Sequence, residues 1–450
     1  MTVISWTLRS LRRALADGVA QPATLAETAL AHSNKNAGRN TYIWQDAAWT
    51  RAEAARVEAM PRGVGGPFGD GRSALWGLPI SVKNCFDLAG SPTTCGVHFY
   101  RDRNGIASRD SWLVEQLRAA GAVIIGKTHL HPLAYGITGE NPEYGDCVQP
   151  RDSGALTGGS SSGAVASVQE GSAVAAIGTD TGGSVRAPAA LAGLAGYRAT
   201  LGRGDWRGGA HLAESFDTMG WLFRDLQDAP YLAAPFAPAK TAQPSQFTRF
   251  AFVPDSFLHD CEPAIVAHFH GVIRTLQALG LEARTIDVDW WADAVDIFAP
   301  IQASEAAKLH AGNFDHFEPA IRDRLKWGAS IPPDELTALR HRHAEFRERM
   351  DALFAAHELV LLPSTAVARL AAGADHSQTR SRFLRYTAPF SLAGVPTVAI
   401  PCAEGGMQLA AARGSDEALL AFAADAVPVL QFPQKPHDLK NLKPKGDLSV

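Results

Sequence analysis

Hydrophobic positions along this chain change period several times. Near the N-terminus Leu8, Leu11 and Leu15 recur at helical spacing, and Ala54, Val57 and Met60 do so again; the first sixty residues therefore read as helical. Thr50 and Glu53 stand three apart at the front of the second stripe, which predicts a capping box at that point. From residue 78 short apolar runs alternate with helical ones. The runs 78–82, 122–125 and 173–177 predict buried strands, with helices over 110–120 and 164–169 between them. The segment 61–71 is rich in Gly and Pro and reads as a loop, and 129–157 is a long irregular passage.

Further on, strands are predicted at 250–253, 281–288, 358–362, 396–401 and 406–413. Helices are predicted at 265–279 (stopped by Gly280), 335–356 and 417–424, with a helix or turn at 386–394. Strands interleaved with helices predict the α/β class, in one large domain. Residues 1–430 carry no internal repeat and no clean linker, so the helical segment 1–60 is expected to pack on that domain. The Pro- and Lys-rich residues 431–450 are expected to form a flexible tail.

Composition narrows the function classes. With 450 residues, 46% of them hydrophobic and 20% charged, the chain can bury a large core. A net charge of -4 supplies no basic face for nucleic acid or an anionic membrane. The five cysteines are scattered and form no CxxC pair, which points to a reducing compartment. No apolar run approaches the about eighteen residues of a membrane span, and the N-terminus shows no signal-peptide core. A cytoplasmic protein is expected.

Chemistry concentrates between residues 158 and 188, where GGSSSG is followed by an apolar segment and then by GTDTGGSVRAP. Small residues let backbone N–H groups stand bare toward a ligand, as an oxyanion site requires. A serine hydroxyl needs a base to attack at neutral pH. None of the fifteen histidines stands in a triad context, and His129 and His131 lack a third ligand for a metal. A lysine can serve as base when burial lowers its pKa. Lys83, at the end of an apolar strand, is placed for that task, with a second hydroxyl bridging it to Ser184. The context of a GxxxxGK[ST] phosphate cradle is missing: 122–125, ahead of Gly126 and Lys127, reads as a buried strand and not as a phosphate-binding loop.

The ordered set GLPISVKN, GGSSSG and GTDTGGSVRAPAAL resembles the amidase signature family of Ser-cisSer-Lys amide hydrolases. Segments such as 126–145, 215–220, 388–401 and 405–420 are similar to it as well, so the resemblance covers most of the chain. It implies a mixed β-sheet core flanked by α-helices on both sides, with the site at the strand ends, and within that site Ser184 as acylated nucleophile, Ser160 as the serine after a cis peptide, and Lys83 as base. Thr181, Gly182 and Gly183, with the amide of Ser184, are implied as the oxyanion hole, Ser161 as support, and Asp180 with Arg186 as a brace. Asp217 is expected to be structural. The implied reaction is hydrolysis of a linear amide or ureide bond, releasing ammonia or an amine, with no cofactor and no metal. A small-molecule amide is the expected partner, with a second copy of the chain as the other one considered.

Asn84, Pro132, Ser391 and the pair Arg198–Ala199 depart from the family pattern. The alternative function is the A subunit of a glutamine-dependent amidotransferase working with partner chains. Such subunits usually carry Gln where this chain has Ala187, which counts against that alternative. Pocket-lining residues are expected in 129–157, 204–215 and 290–381.

Overall fold

A computed structural model describes residues 6–61, 63, 66–233, 247–402 and 405–430. The expected tail at 431–450 lies outside the described residues. Eleven strands form one mixed sheet: β1 (Tyr42–Trp44), β2 (Pro79–Lys83), β3 (Val123–Thr128), β6 (Ala175–Asp180), β7 (Ala195–Arg198), β8 (Thr218–Phe223), β9 (Arg249–Phe252), β10 (Glu282–Thr285), β11 (Leu359–Pro363), β12 (Thr397–Ile400) and β13 (Met407–Ala411). A separate hairpin is made by β4 (Val148–Gln149) and β5 (Asp152–Leu156). The sheet runs β1-β3-β2-β6-β8-β7-β12-β13-β11-β9-β10.

Pairing is parallel within β3-β2-β6 and within β11-β9-β10, and antiparallel from β6 through β13 to β11. Burial follows position in the sheet: the edge strand β10 (Glu-Ala-Arg-Thr) is mostly exposed, whereas the interior strands β7, β8, β12 and β13 are buried throughout. Every residue of β2, β3 and β6 is buried. The α/β architecture agrees with the hydrophobic pattern, and the mixed sheet with what the family resemblance implied.

The N-terminal segment is helical at Leu8–Ala16, Pro22–Lys35 and Ala47–Glu58, with the edge strand β1 interrupting it. The capping box lies elsewhere than expected. Asp46 caps the third helix by accepting from the amides of Ala48 and Trp49, so Thr50 is already inside it. Thr50 is buried, and Glu53 is committed to Arg56 and Arg118. A one-turn error of this kind arises because Asp46 and Thr50 are both competent caps and the pattern alone cannot rank them. The observed capping box joins Thr7 and Ser10 on the first helix, whose Leu8, Leu11 and Leu15 are buried.

Two connections matter for function. After β5 the chain passes through the cis peptide Gly159–Ser160 into the helix Ser162–Glu170, which returns it to β6. After β6 a tight turn leads into the short helix Arg186–Leu191. Both loops meet the C-terminal end of β2, because β2 and β6 are parallel neighbours with Val82 opposite Ile177.

Candidate active site

Lys83 closes β2 with no solvent exposure, and Ser160 and Ser161 are equally buried, whereas Ser184 keeps 6% exposure. Access from outside is therefore through Ser184. The Lys83 Nζ lies 2.7 Å from Ser160 Oγ, 3.2 Å from Ser161 Oγ and 2.8 Å from Thr179 Oγ1. No carboxylate comes within ion-pair distance of it among the described residues.

Proton bookkeeping assigns these three contacts. Ser161 Oγ donates to the Thr179 carbonyl, 3.3 Å away, so it can only accept from Lys83. The Thr179 hydroxyl oxygen, 2.8 Å away, is a second acceptor for the amine. A neutral amine has two N–H donors and one lone pair. The charged amine donates to all three hydroxyls; once it is neutral, donation to Ser161 and Thr179 leaves its lone pair for the Ser160 O–H. Burial lowers the Lys83 pKa from 10.5 to about 8, despite the opposing influence of Asp180 and Asp217. Cys85 adds no formal charge, since burial raises its pKa to about 11.

The turn after β6 is organised by Asp180. Its Oδ1 accepts from the Gly183 amide at 2.8 Å, and its Oδ2 from the amides of Val185 and Arg186 at 3.2 and 3.3 Å. Arg186 grips both carboxylate oxygens at 2.9 and 3.0 Å and spends its other N–H groups on the Thr387 carbonyl, Gln408 and Ser391. Arg198 approaches the same carboxylate at 3.4 Å. Burial alone would raise the Asp180 pKa, but the two guanidinium groups and the amides outweigh it and hold the carboxyl well below its ordinary range. Two of the departures from the family pattern, Arg198 and Ser391, thus belong to this brace.

Of the expected oxyanion donors, Gly183 already spends its N–H on Asp180. Among the described residues the amides of Thr181, Gly182 and Ser184 have no partner. The glycine at 183 answers a steric demand instead. Its φ is +113°, and a Cβ would stand 2.8 Å from the Thr387 side chain. Thr387 in turn donates to the Gly182 carbonyl at 2.6 Å. Asp217 accepts from the Thr181 hydroxyl at 2.6 Å and from the amides of Leu212 and Ala213 at 2.8 and 3.0 Å, which fixes the loop beneath Thr181.

Backbone bonds couple the two serine loops. Ser161 donates its amide to the Ser184 carbonyl at 3.2 Å, and His131 donates its amide to the Ser160 carbonyl at 3.2 Å. His129 lies between Ser162 Oγ at 2.7 Å and the Gly145 carbonyl at 2.8 Å. Burial lowers the pKa of both imidazoles, to about 4 for His129 and about 3 for His131, so both are neutral supports.

The pocket over Ser184 is small and is walled by the segment 134–137, Gly182, Gln302, Arg380 and Leu384. Gly136, Ile137 and Arg380 also line a wider vestibule outside it. Ala134–Ile137, Gln302 and Arg380 fall in the segments expected to vary, but no sequence pattern singled them out. Thr179 was likewise missed, although its place on β6 beside Lys83 follows once the parallel register is known.

A family described as Amidase matches residues 23–420. The chain is 32% identical over 465 residues to the indoleacetamide hydrolase of Pseudomonas savastanoi, covering 96% of this chain and 98% of that protein. It is 32% identical over 407 residues to the 1-carboxybiuret hydrolase subunit AtzE of Pseudomonas sp. strain ADP, covering 82% of this chain and 87% of that one. A solved structure titled as an amidase superposes with a TM-score of 0.83 at 28% identity, covering 93% of this chain and 98% of that chain.

Proposed function

The chain belongs to the amidase signature family and is an amide hydrolase, and from that premise we propose that it cleaves a carbon–nitrogen bond of a small molecule through an acyl-enzyme on Ser184. The observation that carries this reading is the bonding around Lys83, a fully buried amine that reaches the hydroxyls of Ser160, Ser161 and Thr179 and no carboxylate among the described residues.

In the proposed reaction Ser184 Oγ attacks the amide carbon while its proton passes to Ser160 Oγ and the Ser160 proton passes to Lys83 Nζ. The carbonyl oxygen becomes an oxyanion facing the free amides of Thr181, Gly182 and Ser184. Collapse breaks the C–N bond, and the relay returns the proton to the departing ammonia or amine. Water then attacks the ester, the relay accepts its proton, and the acid leaves with Ser184 restored. Gly183 serves as a support in this scheme, because its N–H holds Asp180. Asp180 and Arg186 keep the turn rigid so that the amides stay aimed.

The relatives' names place the bond in an indoleacetamide in one case and a carboxybiuret in the other, so they do not single out one acyl group. The purified chain, given a panel of small amides and ureides, is expected to release ammonia or an amine without any other protein. The Ser184→Ala variant is expected to lose about 10⁴-fold or more of that rate. Wild-type turnover by Ser184→Ala would overturn the reading. Ammonia release that appears only when partner chains are added would favour the amidotransferase A subunit instead.

A further inference from the structure

Among the described residues, Arg380 is the one charged side chain lining the pocket over Ser184. It is half-buried, and it has no carboxylate partner among the described residues. Its neighbours on the same helix, Thr379–Ala393, differ in this respect. Arg382 and Arg385 both reach Asp260, at 3.8 and 3.9 Å. Arg380 instead donates to the neutral Gln302 at 2.5 Å and stands over the Tyr135 ring, 5.7 Å from its centroid.

Local structure works against a cation there. Arg380 occupies the first turn of its helix, which contains no acidic residue; the dipole there is positive and disfavours it. A second guanidinium, that of Arg324, lines the vestibule with Arg380 but not the inner pocket. Arg324 lies 4.6 Å from the centroid of the same Tyr135 ring, donates to the Tyr135 carbonyl, and also lacks an ion-pair partner among the described residues. Burial lowers the pKa of Arg380 to about 10 and that of Arg324 in the same direction, with Glu318 opposing the fall at Arg324 alone.

Acidic groups do occur nearby, but only in the outer vestibule. Glu140 is bonded to Thr138, Asp146 to the Asn141 amide and Asp375 to Ser377. Glu318 lies 3.9 Å from His131. None of them lines the inner pocket.

We propose that Arg380, with Arg324 on the same Tyr135 ring, binds a carboxylate carried by the substrate, so that the amide cleaved at Ser184 belongs to a short molecule with an anionic group at its other end. The inference rests on the amide-hydrolase reading of the site. A carboxylate supplies the planar acceptor pair that a guanidinium fork matches, and the size of the pocket keeps the two ends of the molecule close.

The test compares succinamate with succinamide and malonamate with malonamide, pairs that differ in charge and hardly in shape. The wild-type protein is expected to favour the anionic member by about 30- to 100-fold in kcat/KM, carried mainly by KM. In Arg380→Met that preference collapses to within a few-fold, and Arg380→Lys restores part of it. A wild-type protein that turns over the neutral amides equally well, with the same ratio in Arg380→Met, would overturn the inference while leaving the hydrolase intact. Absence of turnover with every amide in the panel would remove the hydrolase reading and this inference with it.

Discussion

Two buried sets of charge meet on the turn between β6 and the helix Arg186–Leu191, and the protein treats them in opposite ways. Around Asp180 everything is paired: two guanidinium groups and three backbone amides converge on one carboxylate. Around Lys83 pairing is withheld, and an amine with no exposure is given only hydroxyl neighbours. The first arrangement fixes a charge and with it a backbone. The second leaves a charge costly, which makes the group ready to lose its proton near neutral pH. A reactive centre of this kind needs both, since the unpaired amine is useful only where the nucleophile beside it is held still.

The comparison can be broken by mutation, beginning with the unpaired side. Lys83→Met is expected to lower turnover by about 10⁴-fold or more and at the same time to raise the melting temperature. The sign follows from linkage. The folded pKa of Lys83, about 8, lies below its ordinary 10.5, so the unfolded chain binds more protons between those values. The penalty is complete below the lower one, and removing the amine removes it. Calorimetry of the variant at pH 7 checks this. Asp180→Asn acts in the reverse sense. It leaves Arg186 and Arg198 buried without their carboxylate and is expected to cost about 3–5 kcal/mol, read as a fall in the urea midpoint.

Converting one arrangement into the other is the next test. Thr179→Asp would place a carboxylate where Lys83 now meets a hydroxyl. The amine would then be paired as Arg186 is, its pKa would rise, and the rate at pH 7 is expected to fall about 100-fold while recovering at alkaline pH. Thr179→Val is milder. It removes one acceptor of the charged form, and the midpoint of the pH–rate profile is expected to move to lower pH by less than about one pH unit.

Much of this was legible before the fold was known, and the limits have physical causes. The strands β2, β3 and β6 could be placed because strands buried throughout read as continuous apolar runs. Lys83, Ser160 and Ser184 could be nominated because glycine-rich loops at strand ends carry a strong local signal. Thr179 could not, since its part depends on which strand lies beside β2. Arg198 read only as a departure from the family pattern, and it proves to be a second cation on Asp180. Gly183 was expected to offer its amide to an oxyanion, whereas that amide is already bonded to Asp180. Periodicity does not report where a carboxylate three residues away will turn. Arg380 was invisible for a related reason: being unpaired is a property of three-dimensional surroundings, and helix 379–393 shows three arginines of which only position in the fold distinguishes one.

The central claim is that Lys83 titrates near neutrality because it is buried without a counter-charge, and it can be measured without any substrate. Lysine labelled with carbon-13 at Cε, in the Ser184→Ala protein, gives a resonance for Lys83 that can be assigned by its loss in Lys83→Met. Its shift is expected to follow pH with a midpoint at about 8. A midpoint at the ordinary lysine value of 10.5 would contradict the account.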